Sequence, residues 1–151
     1  MIEDPVTWIV LADGARARVW EEPQRLGPVR ERTEWAREGR RHVRSGKGAS
    51  GVHDRLGHTS HTSVRQSGQD RAEQAFLSEL VADLDQAAAD HRFDRLVIIA
   101  PAKALGALRQ ALSARLMAKV ETCDSKDLVD AKAETVRHEL SRARARYALT
   151  D

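Results

Sequence analysis

Thr7-Trp8-Ile9-Val10-Leu11-Ala12-Asp13-Gly14-Ala15-Arg16-Ala17-Arg18-Val19-Trp20 is the stretch that decides the fold. Its first six residues form a near-continuous apolar run, as expected of a strand buried on both faces. Residues 15–20 alternate with period two, as expected of a strand covered on one face. Asp13-Gly14 between them predicts a two-residue hairpin turn, because both central positions of such a turn need φ > 0. Beyond it, Gly27-Pro28 marks a turn. Val29-Arg30-Glu31-Arg32-Thr33-Glu34-Trp35 then carries charges on both faces, the pattern of an exposed edge strand.

Periodicity resumes near Asp70. Ala72, Phe76, Leu80, Leu84 and Ala87, widened by Leu77, Val81 and Ala88, trace one face of a helix. Arg95-Leu96-Val97-Ile98-Ile99-Ala100, closed by Pro101, predicts a buried parallel strand. Leu105, Leu108, Leu112 and Leu116 predict a second helix, Lys119-Val120-Glu121-Thr122-Cys123 a further strand, and Ala131, Val136, Leu140, Ala143 and Tyr147 a closing helix. The order β-β-β-loop-α-β-α-β-α defines one α/β domain over residues 1–151. It has an antiparallel three-strand meander followed by β-α units on a mixed sheet.

Between Ala36 and Gly68 the hydrophobic period disappears, leaving a basic, glycine- and histidine-rich loop over residues 37–68 that cannot bury a core of its own. Residues 37–71 hold Arg37, Arg40, Arg41, Arg44, Lys47, Arg55, Arg65 and Arg71 against Glu38, Asp54 and Asp70. That is an excess of five positive charges on a chain of net +2, so the remainder carries −3. A basic tract on a mildly acidic body favours a polyanionic partner, RNA above all, with those eight cations as the phosphate contacts. The tract has no interleaved aromatic side chains, so it is suited to phosphates and shape and not to base stacking.

His42, His53, His58 and His61 lie in the same tract, but no carboxylate or cysteine completes an evident metal set, and no metal or cofactor is expected. Asp13, Asp94, Asp127 and Asp130 are the residues a two-metal nuclease would recruit at strand ends. Simpler roles suit each: Asp13 in the turn, Asp94 before a strand, Asp127 and Asp130 as caps of the closing helix. Arg137, Arg142, Arg144 and Arg146 crowd the end of that helix, where they complement its dipole. Cys123 is the chain's one cysteine, which rules out an internal disulfide and suits a reducing compartment. The acidic start Met1-Ile2-Glu3-Asp4-Pro5 is unlike a secretory signal, and no apolar stretch approaches the roughly 20 residues that span a bilayer. The expectation is a cytoplasmic protein without membrane contact.

Trp8-Ile9-Val10-Leu11-Ala12-Asp13-Gly14-Ala15-Arg16-Ala17-Arg18 resembles the opening of the bacterial family of proteins required for attachment to host cells. Phe93-Asp94-Arg95-Leu96-Val97-Ile98-Ile99-Ala100-Pro101, Leu105-Gly106-Ala107-Leu108-Arg109 and Lys126-Asp127-Leu128 resemble its later blocks, in order. That family is similar to the central domain of archaeal and eukaryotic class-one peptide-release factors, which implies an RNase-H-like sheet order. In release factors the loop before the first long helix carries Gly-Gly-Gln, which promotes water attack on the peptidyl-tRNA ester. Here the corresponding place reads Ser67-Gly68-Gln69, with serine replacing the first glycine. The resemblance and the basic loop together imply a noncatalytic release-factor-like domain that binds RNA or the ribosome. The alternatives are a peptidyl-tRNA or ribosome-rescue hydrolase using Gln69 with Gly68, and a protein-interaction module linked to host attachment. A metal-dependent nuclease is a third.

Overall fold

The apolar run that begins at Thr7 becomes the central strand of a sheet, buried along its whole length. The computed structural model describes residues 4–39 and 68–150. Its elements are β1 (Thr7–Ala12), β2 (Arg16–Glu22), β3 (Arg30–Glu38), α1 (Gly68–Ala89), β4 (Arg95–Ala100), α2 (Ala102–Ala111), α3 (Ala114–Lys119), β5 (Val120–Ser125) and α4 (Ala133–Thr150). The strands lie in the order β3-β2-β1-β4-β5. β1–β2 and β2–β3 pair antiparallel, and β1–β4 and β4–β5 pair parallel. This is the mixed sheet expected from the pattern.

Strand alternation divides the core between two faces. Trp8, Val10, Leu96 and Ile98 pack with Phe76, Leu80 and Leu84 of α1, Leu105 and Leu108 of α2 and Leu116 of α3. Ile9, Leu11, Trp20, Val97 and Ile99 pack on the other side with Val136 and Leu140 of α4. The sheet is therefore the middle of three layers. No helix among the described residues is long and apolar enough to cross a membrane.

Four local expectations are corrected. The β1–β2 connection is not a two-residue turn. Three residues, Asp13 to Ala15, lie between the end of β1 at Ala12 and the start of β2 at Arg16, and no described glycine has positive φ. The connection closes instead through Asp13, whose N–H donates to the Arg16 carbonyl (2.9 Å) and whose Oδ1 accepts from the N–H groups of Ala15 (2.8 Å) and Arg16 (2.7 Å).

The edge strand β3 runs to Glu38, so Arg37 is a strand residue and not part of a loop. Its register against β2 shifts between Ala17 and Val19, whose partners are Arg37 and Arg32, an irregularity that guards an edge against further pairing.

The leucine repeat 105-108-112-116 spans two helices. Leu112 is extended, and Ser113 starts α3 by accepting the Leu116 N–H (3.1 Å) while donating to Asp85 (2.8 Å). Finally, Asp130 does not cap α4 but pairs with Arg16, and Ala131 lies ahead of that helix.

Candidate functional site

The C-terminal edge of the parallel strands gathers the β1–β2 turn, the end of β3 and the start of α1. Gly39 donates its N–H to the carbonyl of Ala15 (2.6 Å). A Cβ at Gly39 would stand 2.9 Å from Phe76 Cδ1, so the strand end passes directly over the α1 side chain. The chain thus leaves the described body at Gly39 and rejoins it at Gly68. Both points belong to this one edge, because the first turns of α1 rest on the β1–β2 turn: a Cβ at Gly14 would lie 2.5 Å from Glu73 Cδ.

Several charges around this edge are matched among themselves. Arg16 makes a bidentate pair with Asp130 (2.9 and 3.1 Å), which raises the guanidinium pKa and holds the Asp130 carboxyl below the usual range. Lys103 of α2 pairs with Asp70 and lies 3.6 Å from Glu73. Its hydrogen bond to Asp70 raises its pKa. Gln69 Nε2 donates to Glu73 Oε2 (3.1 Å).

Of the cations proposed for RNA contact, Arg37 is engaged elsewhere: it pairs with Asp83 and lies over the Trp35 ring, 5.0 Å from its centroid. Arg71 is exposed in the first turn of α1, beside Gly68 and Gln69. Arg40, Arg41, Arg44, Lys47, Arg55 and Arg65 lie outside the described residues, as do His42, His53, His58 and His61.

The four aspartates are not gathered into one site. Asp13 sits in the β1–β2 turn and Asp130 on Arg16, whereas Asp94 accepts the Val6 N–H (2.8 Å) at the opposite end of the sheet, and Asp127 is exposed. Among the described residues no cluster of three or more His, Cys, Asp or Glu could hold a metal ion. Cys123 is half-buried, and burial pushes its thiol pKa up.

A second polar cluster, which the sequence did not reveal, lies at the far end of the sheet. Glu22 is fully buried yet accepts from Arg144 (2.7 and 2.8 Å), from Arg137 (2.9 Å) and from the Leu26 N–H (3.0 Å). Arg144 also donates to Glu121 (2.9 Å), which Arg25 holds from the other side (2.9 Å). Burial alone would raise the Glu22 pKa, but the arginine hydrogen bonds outweigh it and hold the carboxyl at about 2. This network ties α4 to β2 and β5, so Arg137 and Arg144 serve the core. Glu22 and Glu121 give no local signal, since a glutamate at a strand end reads as exposed.

Sequence comparison finds the family described as bacterial archaeo-eukaryotic release factor family 12, whose profile matches residues 6–140. No curated protein matches the chain.

Proposed function

Because the chain belongs to bacterial archaeo-eukaryotic release factor family 12, we propose that it is a noncatalytic release-factor-like module that binds RNA, foremost ribosomal RNA, through the basic segment between Gly39 and Gly68. The observation that carries this reading is the separation of charge. Residues 40–67 hold six basic residues against the single acid Asp54, whereas Arg16 and Lys103 at the edge where the segment joins the body are paired with Asp130, Asp70 and Glu73. Cations in such a tract are suited to phosphates, and the glycines among them allow close backbone approach. Arg71 extends the surface onto α1; Arg37, held by Asp83, contributes less. The role is cytoplasmic, where ribosomes are found.

Replacing Arg40, Arg41 and Arg44 by alanine is expected to weaken RNA binding and flatten its salt dependence, each lost phosphate contact reducing the log–log slope by about 0.7–0.9. Gln69→Ala is expected to leave binding nearly unchanged. Loss of peptidyl-tRNA cleavage in Gln69→Ala, with ribosome binding retained, would overturn the noncatalytic reading in favour of hydrolysis. Capture of a protein partner with no nucleic acid would favour an attachment-linked interaction module.

A further inference from the structure

The two faces of the sheet are covered unequally. Three helices pack on the first face, and α1 alone buries seven side chains there between Phe76 and Ala88. Among the described residues, α4 is the only helix that contributes to the apolar cluster on the second face. Of residues 133–146 in that helix, only Val136, Leu140 and Ala143 are buried. The rest of its attachment is polar. Arg137 donates to Glu22 and the Gly27 carbonyl, Arg144 to Glu22 and Glu121, and Arg146 to Asp124 (2.7 Å), while Glu139 accepts from Lys126 (2.8 Å).

This polar attachment is also incompletely satisfied. Among the described residues, the buried side-chain nitrogen and oxygen atoms without a hydrogen-bond partner are Trp20 Nε1, Asp124 Oδ2 and Arg137 Nη2. All three belong to the same interface: Trp20 packs in the cluster under α4, Asp124 is held by Arg146, and Arg137 is on α4 itself. A polar atom that has given up water and gained no partner opposes the burial that encloses it. It regains water when the layer lifts.

Sparse apolar contact and unsatisfied polar atoms thus coincide at one layer. We propose that α4 is a strap: it releases from the sheet as a unit while β1–β5 and α1–α3 stay folded, and the ion pairs of Arg144 with Glu22 and Glu121 latch it shut. Release uncovers Ile9, Leu11, Val97 and Ile99. The two apolar clusters lie on opposite faces, so lifting α4 leaves the first one intact, with the sheet still packed against three helices.

The test is hydrogen exchange of the whole protein at pH 7 across sub-denaturing urea, read by mass spectrometry. In the wild type, amides of residues 137–146 are expected to open at least about tenfold more readily than those of β1 and β4. Their urea dependence should be shallower, because lifting one helix exposes less surface than unfolding the domain. Arg144→Ala should open the α4 amides roughly 100-fold or more further. The same variant should bind 8-anilinonaphthalene-1-sulfonate at the uncovered face, with α1 and β4 still more protected than α4. Equal protection and equal urea slopes in α4, β1 and β4 of the wild type would mean a single cooperative fold and overturn the strap. Loss of protection in α1 and β4 together with α4 in Arg144→Ala would overturn it too, and unchanged α4 exchange in that variant would overturn the latch.

Discussion

Replacing Ile98 by aspartate is expected to unfold the domain. Ile98 is 1% exposed and lies in β4, flanked by β1 through Val10 and by β5 through Cys123, with its side chain among the residues that receive α1, α2 and α3. A carboxylate there finds no cation in the apolar cluster. Its desolvation costs several kcal/mol, and the packing of the isoleucine is lost as well. Domains of this size are stable by only about 5–15 kcal/mol, so the change consumes most or all of the margin. Met117→Asp, on the 58% exposed Met117 of α3, should matter little. Circular dichroism with urea titration checks both. A soluble Ile98→Asp variant with a cooperative transition near the wild-type midpoint would contradict the placement of β4 in the core.

The second large effect is expected from Arg144→Ala. The side chain is removed from between Glu22 and Glu121, leaving the fully buried Glu22 with only Arg137 and the Leu26 N–H. Breaking one partner of a buried pair costs about 3–5 kcal/mol, because the remaining charge has lost both solvent and counterion.

The pH dependence has a definite sign. Glu22 is held at about 2 in the fold against an ordinary value of 4.5, so between those values the unfolded chain binds more protons than the folded one. The stability contributed by this group is present above about pH 4.5 and is lost as the pH falls toward 2. The gap corresponds to about 3 kcal/mol at neutral pH. Urea unfolding from pH 7 down to pH 2.5 should show a steep acid limb in the wild type and a shallower one in Arg144→Ala. A variant within about 1 kcal/mol of wild type at neutral pH would show that the network does not anchor α4.

These two sites also mark what a single sequence reveals and what it hides. Ile98 is legible because β-branched residues cluster there between a charged boundary and Pro101, and because a strand buried on both faces needs such a run. The pairing of Glu22 with Arg144 is not legible, since it joins positions 122 residues apart and each residue alone looks like a solvated charge.

The same distinction runs through the candidate site. The basic composition of the loop is visible directly, but its boundary is not. Arg37 belongs to β3, where it pairs with Ala17 of β2, and its ion pair with Asp83 depends on how α1 lies on the sheet. Leu112 continues the spacing of Leu105 and Leu108 although the helix has ended, because α2 and α3 share one apolar face. Gly14 suggests a turn that needs φ > 0, yet its lack of a side chain serves the approach of Glu73.

The measurement that bears most directly on the central claim is the salt dependence of wild-type binding to purified ribosomes and to single-stranded RNA. With six basic residues in the segment 40–67, the account predicts affinity that falls steadily with added salt, with a log–log slope toward single-stranded RNA of up to about −4. Binding that salt leaves unchanged, or no binding at low salt, would contradict it.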